Sequence, residues 1–180
     1  MAKLIIINWP CWAWKSTLAK KIFEEIENSV YINIDDLRRN ISQYKKNREY
    51  SLKLVLKLAN AILKETLKNW NTVIIDKMIF EHIWYGVWEK NIINKYIKTA
   101  KKNKAKYFEI ILWANWQEIE KRVLKRWFVK WWTFTIKKAR EFWEWVTKFK
   151  KIRKNAIIID TSILNEEKVF NYVMEKIEKK

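Results

Sequence analysis

The amino-acid sequence predicts an α/β fold, a parallel β-sheet with helices on both faces, in a single domain over residues 1–180. Three observations carry this. Strand and helix patterns alternate from end to end of the chain. The strand segments are near-continuous apolar runs, as strands covered on both faces must be. No internal repeat or low-complexity linker divides the 180 residues, a length that suits one core.

The first strand is read over 3–8, around Leu4-Ile5-Ile6-Ile7. Leu18, Ile22, Phe23 and Ile26 then recur at helical spacing, and a second strand follows over 30–34. A long helix gathers Leu52, Val55, Leu56, Ala59, Ile62, Leu63 and Leu67 on one face. Trp70, in Lys68-Asn69-Trp70-Asn71, stands at its end, where a left-handed glycine cap belongs. A third strand over 72–76 leads to a helix near 88–102 through Ile92, Ile93, Tyr96 and Ile97. Beyond it come a strand at 106–112, helices at 116–126 and 135–151, and a strand at 155–160. A helix at 165–178, carrying Val169, Tyr172, Val173 and Ile177, closes the pattern.

The composition is anomalous in one respect. The chain has 13 Trp and 1 Gly, whereas globular chains average roughly 7% Gly, about 13 in this length. Together the two types come to 14, an ordinary glycine count. The anomaly coincides with a motif. Residues 9–17 read Trp9-Pro10-Cys11-Trp12-Ala13-Trp14-Lys15-Ser16-Thr17, between the first strand and the first helix. With glycine at 9 and 14 this is G-x-x-x-x-G-K-S, the phosphate-binding loop. Decoding explains the pattern: a codon such as UGA is read as glycine in some bacterial lineages and as tryptophan in others, and the abundance of Lys, Ile and Asn suits an A/T-rich genome. A plain Gly/Trp exchange or deliberate mutagenesis would leave the same trace. The reading extends to Trp12, Trp70, Trp127, Trp131 and Trp132, and leaves Trp88, Trp143 and Trp145, in helical patterns, open.

In such a loop, backbone N–H groups of residues 10–15 wrap a phosphate, helped by the positive end of the following helix. Lys15 reaches the β- and γ-phosphates of ATP, and the Ser16 hydroxyl binds Mg²⁺. Glycine is required where the chain turns through positive φ in contact with phosphate, so an indole at 14 would fill the space. Cys11 occupies a variable position.

The second strand runs into Asn33-Ile34-Asp35-Asp36-Leu37-Arg38. Functional groups of open parallel sheets gather at the carboxyl ends of the strands. One of Asp35 and Asp36 is therefore expected to accept the proton of an attacking hydroxyl while the other caps a helix, with Arg38 on an anionic group of the acceptor. Asp76, at the end of the third strand, is placed to hold a Mg²⁺-bound water, or to form a turn. Arg122 and Arg126, four apart on a helix, are expected either to neutralise a transferring phosphoryl group or to lie on a solvated basic face. The segment over about 127–135 reads as a lid. The lone His82 has no partner visible in the sequence, and excludes a histidine metal cluster.

Taken together, the loop at 9–17, the Asp-Asp-Leu-Arg block at 35–38, the strand ending at Asp76, the Lys-Arg helix at 121–127 and Ile157-Ile158-Ile159-Asp160-Thr161-Ser162 resemble the small phosphate-loop (P-loop) kinases. Within them the chain is most similar to the 5′-hydroxyl polynucleotide kinase and zeta-toxin-like branch. That resemblance implies a three-layer α/β/α fold with a five-stranded sheet in the order 2-3-1-4-5. It implies Asp35 as general base, Arg38 on the acceptor, and an adenine site near Arg126 and the 160–165 turn. Ile34 and Leu37 stand where that branch has Arg and Tyr, which bears on a polynucleotide substrate more than on the chemistry. The expected activity is transfer of the γ-phosphoryl group of ATP, with Mg²⁺, to a hydroxyl of a small molecule or a nucleic-acid end. The alternatives are a nucleoside monophosphate kinase and a non-catalytic nucleotide- or nucleic-acid-binding regulator.

The net charge of +18 favours polyanion partners, nucleic acid among them, although lysines on solvated helix faces in an A/T-rich genome produce the same excess. No apolar run is long enough for a membrane span, so no membrane partner is expected. The single Cys11 excludes an intrachain disulfide and fits a reducing cytoplasm.

Overall fold

The computed structural model describes residues 1–8, 14–76, 92–127, 136–153 and 155–179. In chain order the elements are β1 (Lys3–Asn8), α1 (Lys15–Glu25), β2 (Ser29–Asn33), α2 (Ile34–Arg39), α3 (Arg48–Lys68) and β3 (Thr72–Asp76). They continue with α4 (Ile92–Lys102), β4 (Lys106–Trp113), α5 (Trp116–Trp127), α6 (Ile136–Ile152), β5 (Ile157–Asp160) and α7 (Glu166–Glu178). The five strands form one parallel sheet in the order β2-β3-β1-β4-β5. This is the order the resemblance implied. The short α2, expected from the sequence only as a helix capped by Asp35 or Asp36, turns the chain away immediately after β2.

Alternation along each strand divides the apolar side chains into two layers. Leu4, Ile6, Val73 and Ile75 pack with α3 and α4 through Leu52, Val55, Leu63 and Tyr96. Ile5, Ile7, Ile74, Ile110 and Ile159 pack with α1 and α7 through Leu18, Ile22, Val169 and Val173. β1 and β3 are therefore apolar on both sides, which is why they read as unbroken apolar runs. A third, smaller cluster joins α5 to α6 through Ile119, Val123 and Ala139, with Trp116 and Trp143 against it.

One charged pair interrupts the α3/α4 layer. Glu109 on β4 is 4% exposed, and its carboxylate accepts from Arg153, just beyond α6, at 3.0 and 2.9 Å from Nε. Arg153 also donates to Asn94 of α4 at 3.3 Å, so this pair ties the end of α6 to the sheet.

Asparagine caps recur at helix starts. Asn33, Asn47, Asn115 and Asn165 each accept a backbone N–H from the first turn that follows. The end of α3 closes differently. Trp70 N–H donates to Leu67 C=O and Asn71 N–H to Thr66 C=O, the paired bonds of a Schellman cap. Its left-handed residue is Trp70, at φ 60 with a largely exposed side chain. A Cβ in that region crowds the following carbonyl, at a cost of roughly 1–2 kcal/mol.

Arg153→Leu, which strands a buried carboxylate, is expected to lower the unfolding free energy by about 3–5 kcal/mol; a loss below about 1 kcal/mol in urea titration would show the pair to be structurally idle. Trp70→Gly is expected to raise stability by about 1 kcal/mol, because the exposed indole gives up little packing. A fall in the urea midpoint would contradict this.

Candidate phosphate and acceptor site

Strand alternation also decides where the polar groups at the sheet's carboxyl edge point. Asp76 follows Ile74 by two residues and so faces α1, and its register partners are Ile7 on β1 and Asn33 on β2. Its carboxylate is fully buried, and the ammonium of Lys15, the first residue of α1, forms an ion pair with Oδ1. A carboxylate taken out of water needs such a partner together with hydrogen bonds to its remaining lone pairs. Those come from β2: Tyr31 donates its hydroxyl to Asp76 Oδ2 at 2.9 Å, and Asn33 Nδ2 lies 3.4 Å from the same oxygen. Asn33 Nδ2 also lies 3.2 Å from the Tyr31 hydroxyl. The ring of Tyr31 packs on Phe23 of α1, 6.0 Å between centroids. Burial, and then the negative charge of Asp76, push the Tyr31 phenol well above its usual range.

The acceptor-side residues lie on α2. The cap of this helix corrects the expectation that Asp35 or Asp36 supplies it. Asn33 Oδ1 takes the N–H groups of both, at 2.9 and 3.1 Å, because the chain turns helical one residue before the aspartates. Both carboxylates fall in the first turn, where the positive helix end suits them. Asp35 Oδ1 is 3.8 Å from Arg38 Nη2, and Asp36 pairs with Arg39. The Arg38 guanidinium also lies over the Tyr44 ring, 5.6 Å from its centroid. Asp35 and Arg38 are thus brought together at the end of β2, in the element that directly follows the Asp76 contact.

Lys15 and Ser16 begin α1, and Ser16 is exposed. Trp14 stands at the N-cap with φ 53 and ψ 16, in the left-handed region, with no side-chain capping bond. Its indole lies beneath the Arg122 guanidinium, 4.3 Å from the ring centroid. Arg122 of α5 is held by Glu118 at 2.9 Å and by the hydroxyl and carbonyl of Thr161 at 3.1 and 2.7 Å. Thr161 in turn donates to Trp113 C=O at 2.9 Å. Arg122 therefore fastens α5 to the turn after β5 and reaches the start of α1 with one face. Trp9, Pro10, Cys11, Trp12, Ala13, His82 and the lid over 128–135 lie outside the described residues, as do the side chains of Arg126 and Trp127. Thr17 follows Ser16 in the first turn of α1 and is exposed.

Tyr31 and Asn33 were missed by the sequence reading. The available signal was a pair of polar residues at the carboxyl end of a strand beside the motif strand, which is where ligand-facing groups collect. Among the described residues no cluster of His, Cys, Asp and Glu has metal-ligand spacing. Among them also, no helix is long and apolar enough to cross a membrane.

Below about pH 10 both the folded and the unfolded chain keep the Tyr31 phenol protonated; above it the unfolded chain loses the proton first. Stability should accordingly fall as pH rises past that point. Tyr31→Phe should flatten this fall between about pH 9 and pH 11, measured by urea unfolding. Parallel slopes for the two proteins would contradict the assignment.

No protein-family model matches the chain, and no curated protein sequence matches it. Solved structures do. The chain superposes with a TM-score of 0.61 and 19% identity on the Pnkp1/Rnl/Hen1 RNA repair complex, covering 92% of this chain and 50% of that one. It therefore spans about half the length of that chain. For the YorR protein of Bacillus subtilis in complex with phosphorylated GDP, the TM-score is 0.59 at 17% identity, covering 98% and 95%. For deoxyadenosine kinase from M. mycoides with the products dCMP and dCDP bound, it is 0.54 at 15% identity, covering 99% and 100%. The five-stranded parallel sheet in the order 2-3-1-4-5, covered by helices on both faces, is the P-loop kinase fold.

Proposed function

We propose that this chain is a P-loop phosphotransferase that moves the γ-phosphoryl group of ATP to a hydroxyl of a small-molecule or nucleic-acid-end acceptor, with glycine as the native residue at 9 and 14. The observation that carries the reading is the ion pair between Lys15 and the buried Asp76, set beside Asp35 and Arg38 at one edge of the sheet. Lys15, Ser16 and Asp76 fit a nucleoside triphosphate with Mg²⁺: a cation and a hydroxyl at a helix N-terminus, and a carboxylate on the neighbouring strand. Trp14 does not fit. Its indole covers one face of the Arg122 guanidinium, and its φ of 53 is the conformation glycine adopts without cost. The same conformation supports glycine at 70. Trp143 is different: its indole N–H donates to Ala114 C=O at 2.9 Å and its ring meets Trp116 at 6.2 Å, which supports a genuine tryptophan.

ATP with Mg²⁺, when bound, supplies the phosphoryl group and a cation that offsets its charge. With ATP and Mg²⁺ bound, Lys15 would turn from Asp76 to phosphate oxygens, and Ser16 and Asp76, the latter held by Tyr31 and Asn33, would hold the metal side. Asp35 takes the proton from the acceptor hydroxyl as its oxygen bonds to phosphorus and the bond to the leaving diphosphate breaks. Arg38 holds an anionic group of the acceptor. With glycine at 14, one face of the Arg122 guanidinium is open toward the loop for the developing charge, and Arg126 follows one turn later on the same helix. The chain's net charge of +18 supports an anionic acceptor.

The test is a chain carrying Trp9→Gly, Trp12→Gly and Trp14→Gly, assayed with labelled ATP against oligonucleotide 5′-ends, nucleosides, nucleotides and small alcohols. Transfer to one class is expected. Asp35→Asn in that background should cut turnover by roughly 10²–10⁴-fold with ATP binding retained. Full turnover in that variant would reject Asp35 as base. Peptide masses of the native protein should show glycine at 14 and 70 and tryptophan at 143, and thirteen intact tryptophans would reject the glycine reading.

A further inference from the structure

We infer that Asn33 is a positioning residue that couples the acceptor side of the site to its phosphate side through the two ends of one carboxamide. The inference rests on the phosphotransferase reading for the roles of Lys15, Asp35 and Asp76. Asn33 Oδ1 receives the N–H groups of Asp35 and Asp36 at 2.9 and 3.1 Å. Its Nδ2 faces the Tyr31 hydroxyl at 3.2 Å and Asp76 Oδ2 at 3.4 Å. Two backbone donors on one side demand the oxygen there, and a carboxylate on the other demands the nitrogen, so the chemistry dictates the amide's orientation.

Capping alone does not select asparagine. Aspartate and serine cap helices equally well. Aspartate, though, would set a second carboxylate against the buried Asp76, its register partner across β2 and β3. Serine lacks an N–H donor and the reach to Asp76. Asparagine meets both demands. When Lys15 leaves Asp76 for phosphate, Asn33 and Tyr31 are the described side chains that continue to hold that carboxylate. Any shift of Asp76 is then passed by Asn33 to the first turn of α2, where Asp35 sits. Occupancy of the phosphate side and the pose of the base are linked by a path two hydrogen bonds long.

The experiment compares Asn33→Ser and Asn33→Asp in the glycine-restored chain. Both substituents cap α2, so the melting temperature of Asn33→Ser should fall by less than about 5 °C, and that of Asn33→Asp further, because it sets a like charge against Asp76. In Asn33→Asp, kcat should drop at least tenfold with little change in KM for ATP. Asn33→Ser should lose rate in the same sense, again in kcat more than in KM. Parental kcat in Asn33→Asp would overturn the inference. A second arm needs no turnover: the melting-temperature losses of Asn33→Ser and Asp76→Asn should be non-additive in the double variant. Additive losses would overturn the coupling. A glycine-restored parent that folds and binds ATP but transfers nothing would reject the phosphotransferase reading, and the melting cycle would still decide the coupling.

Discussion

A carboxylate fully removed from water organises the carboxyl edge of this protein's sheet. Asp76 lies at the end of a strand apolar on both sides, and burying its charge requires a cation and donors for its remaining lone pairs. Lys15 from α1 and Tyr31 and Asn33 from β2 supply them. Each comes from a different stretch of chain, so satisfying one group locks the first helix, the second strand and the third strand into one geometry. Asp35 and Arg38 on α2 inherit their position from that arrangement.

The two described tryptophans with left-handed backbone add a second constraint. Trp14 opens α1 and Trp70 closes α3, the start and the end of a helix where the chain must reverse its twist. Neither indole sits in one of the three apolar clusters. Trp143, by contrast, is engaged through its N–H and its ring in the small cluster between α5 and α6. Trp14 and Trp70 thus differ from Trp143 in both backbone conformation and packing.

Much of this fold was legible in the sequence because β1 and β3 are apolar on both faces and each helix carries a periodic apolar stripe. The strand order came from resemblance, since no local pattern states which strand neighbours which. Lys15 and Ser16 stood out as candidates because they share a contiguous motif. Tyr31 and Asn33 were not, as their link to Asp76 spans more than forty residues and exists only through the register of β2 on β3. The cap of α2 was misread for a local reason: two adjacent aspartates are strong capping candidates, and the helix starts one residue ahead of them. The pair Glu109–Arg153 left as its sole trace one charge inside an apolar strand.

The strand order has a consequence for how the molecule is made. β1 lies at the centre of the sheet, yet both neighbours follow it in the chain, with Leu4 paired to Val73 and Lys3 to Lys106. At roughly 5–20 residues per second of synthesis, its apolar run waits on the order of ten seconds for both partners. The Lys15–Asp76–Asn33 contacts join residues that all lie between positions 15 and 76. The hold on Arg122 needs Thr161, some forty residues further along. The contacts around Asp76 are therefore drawn from an earlier stretch of polypeptide than those around Arg122.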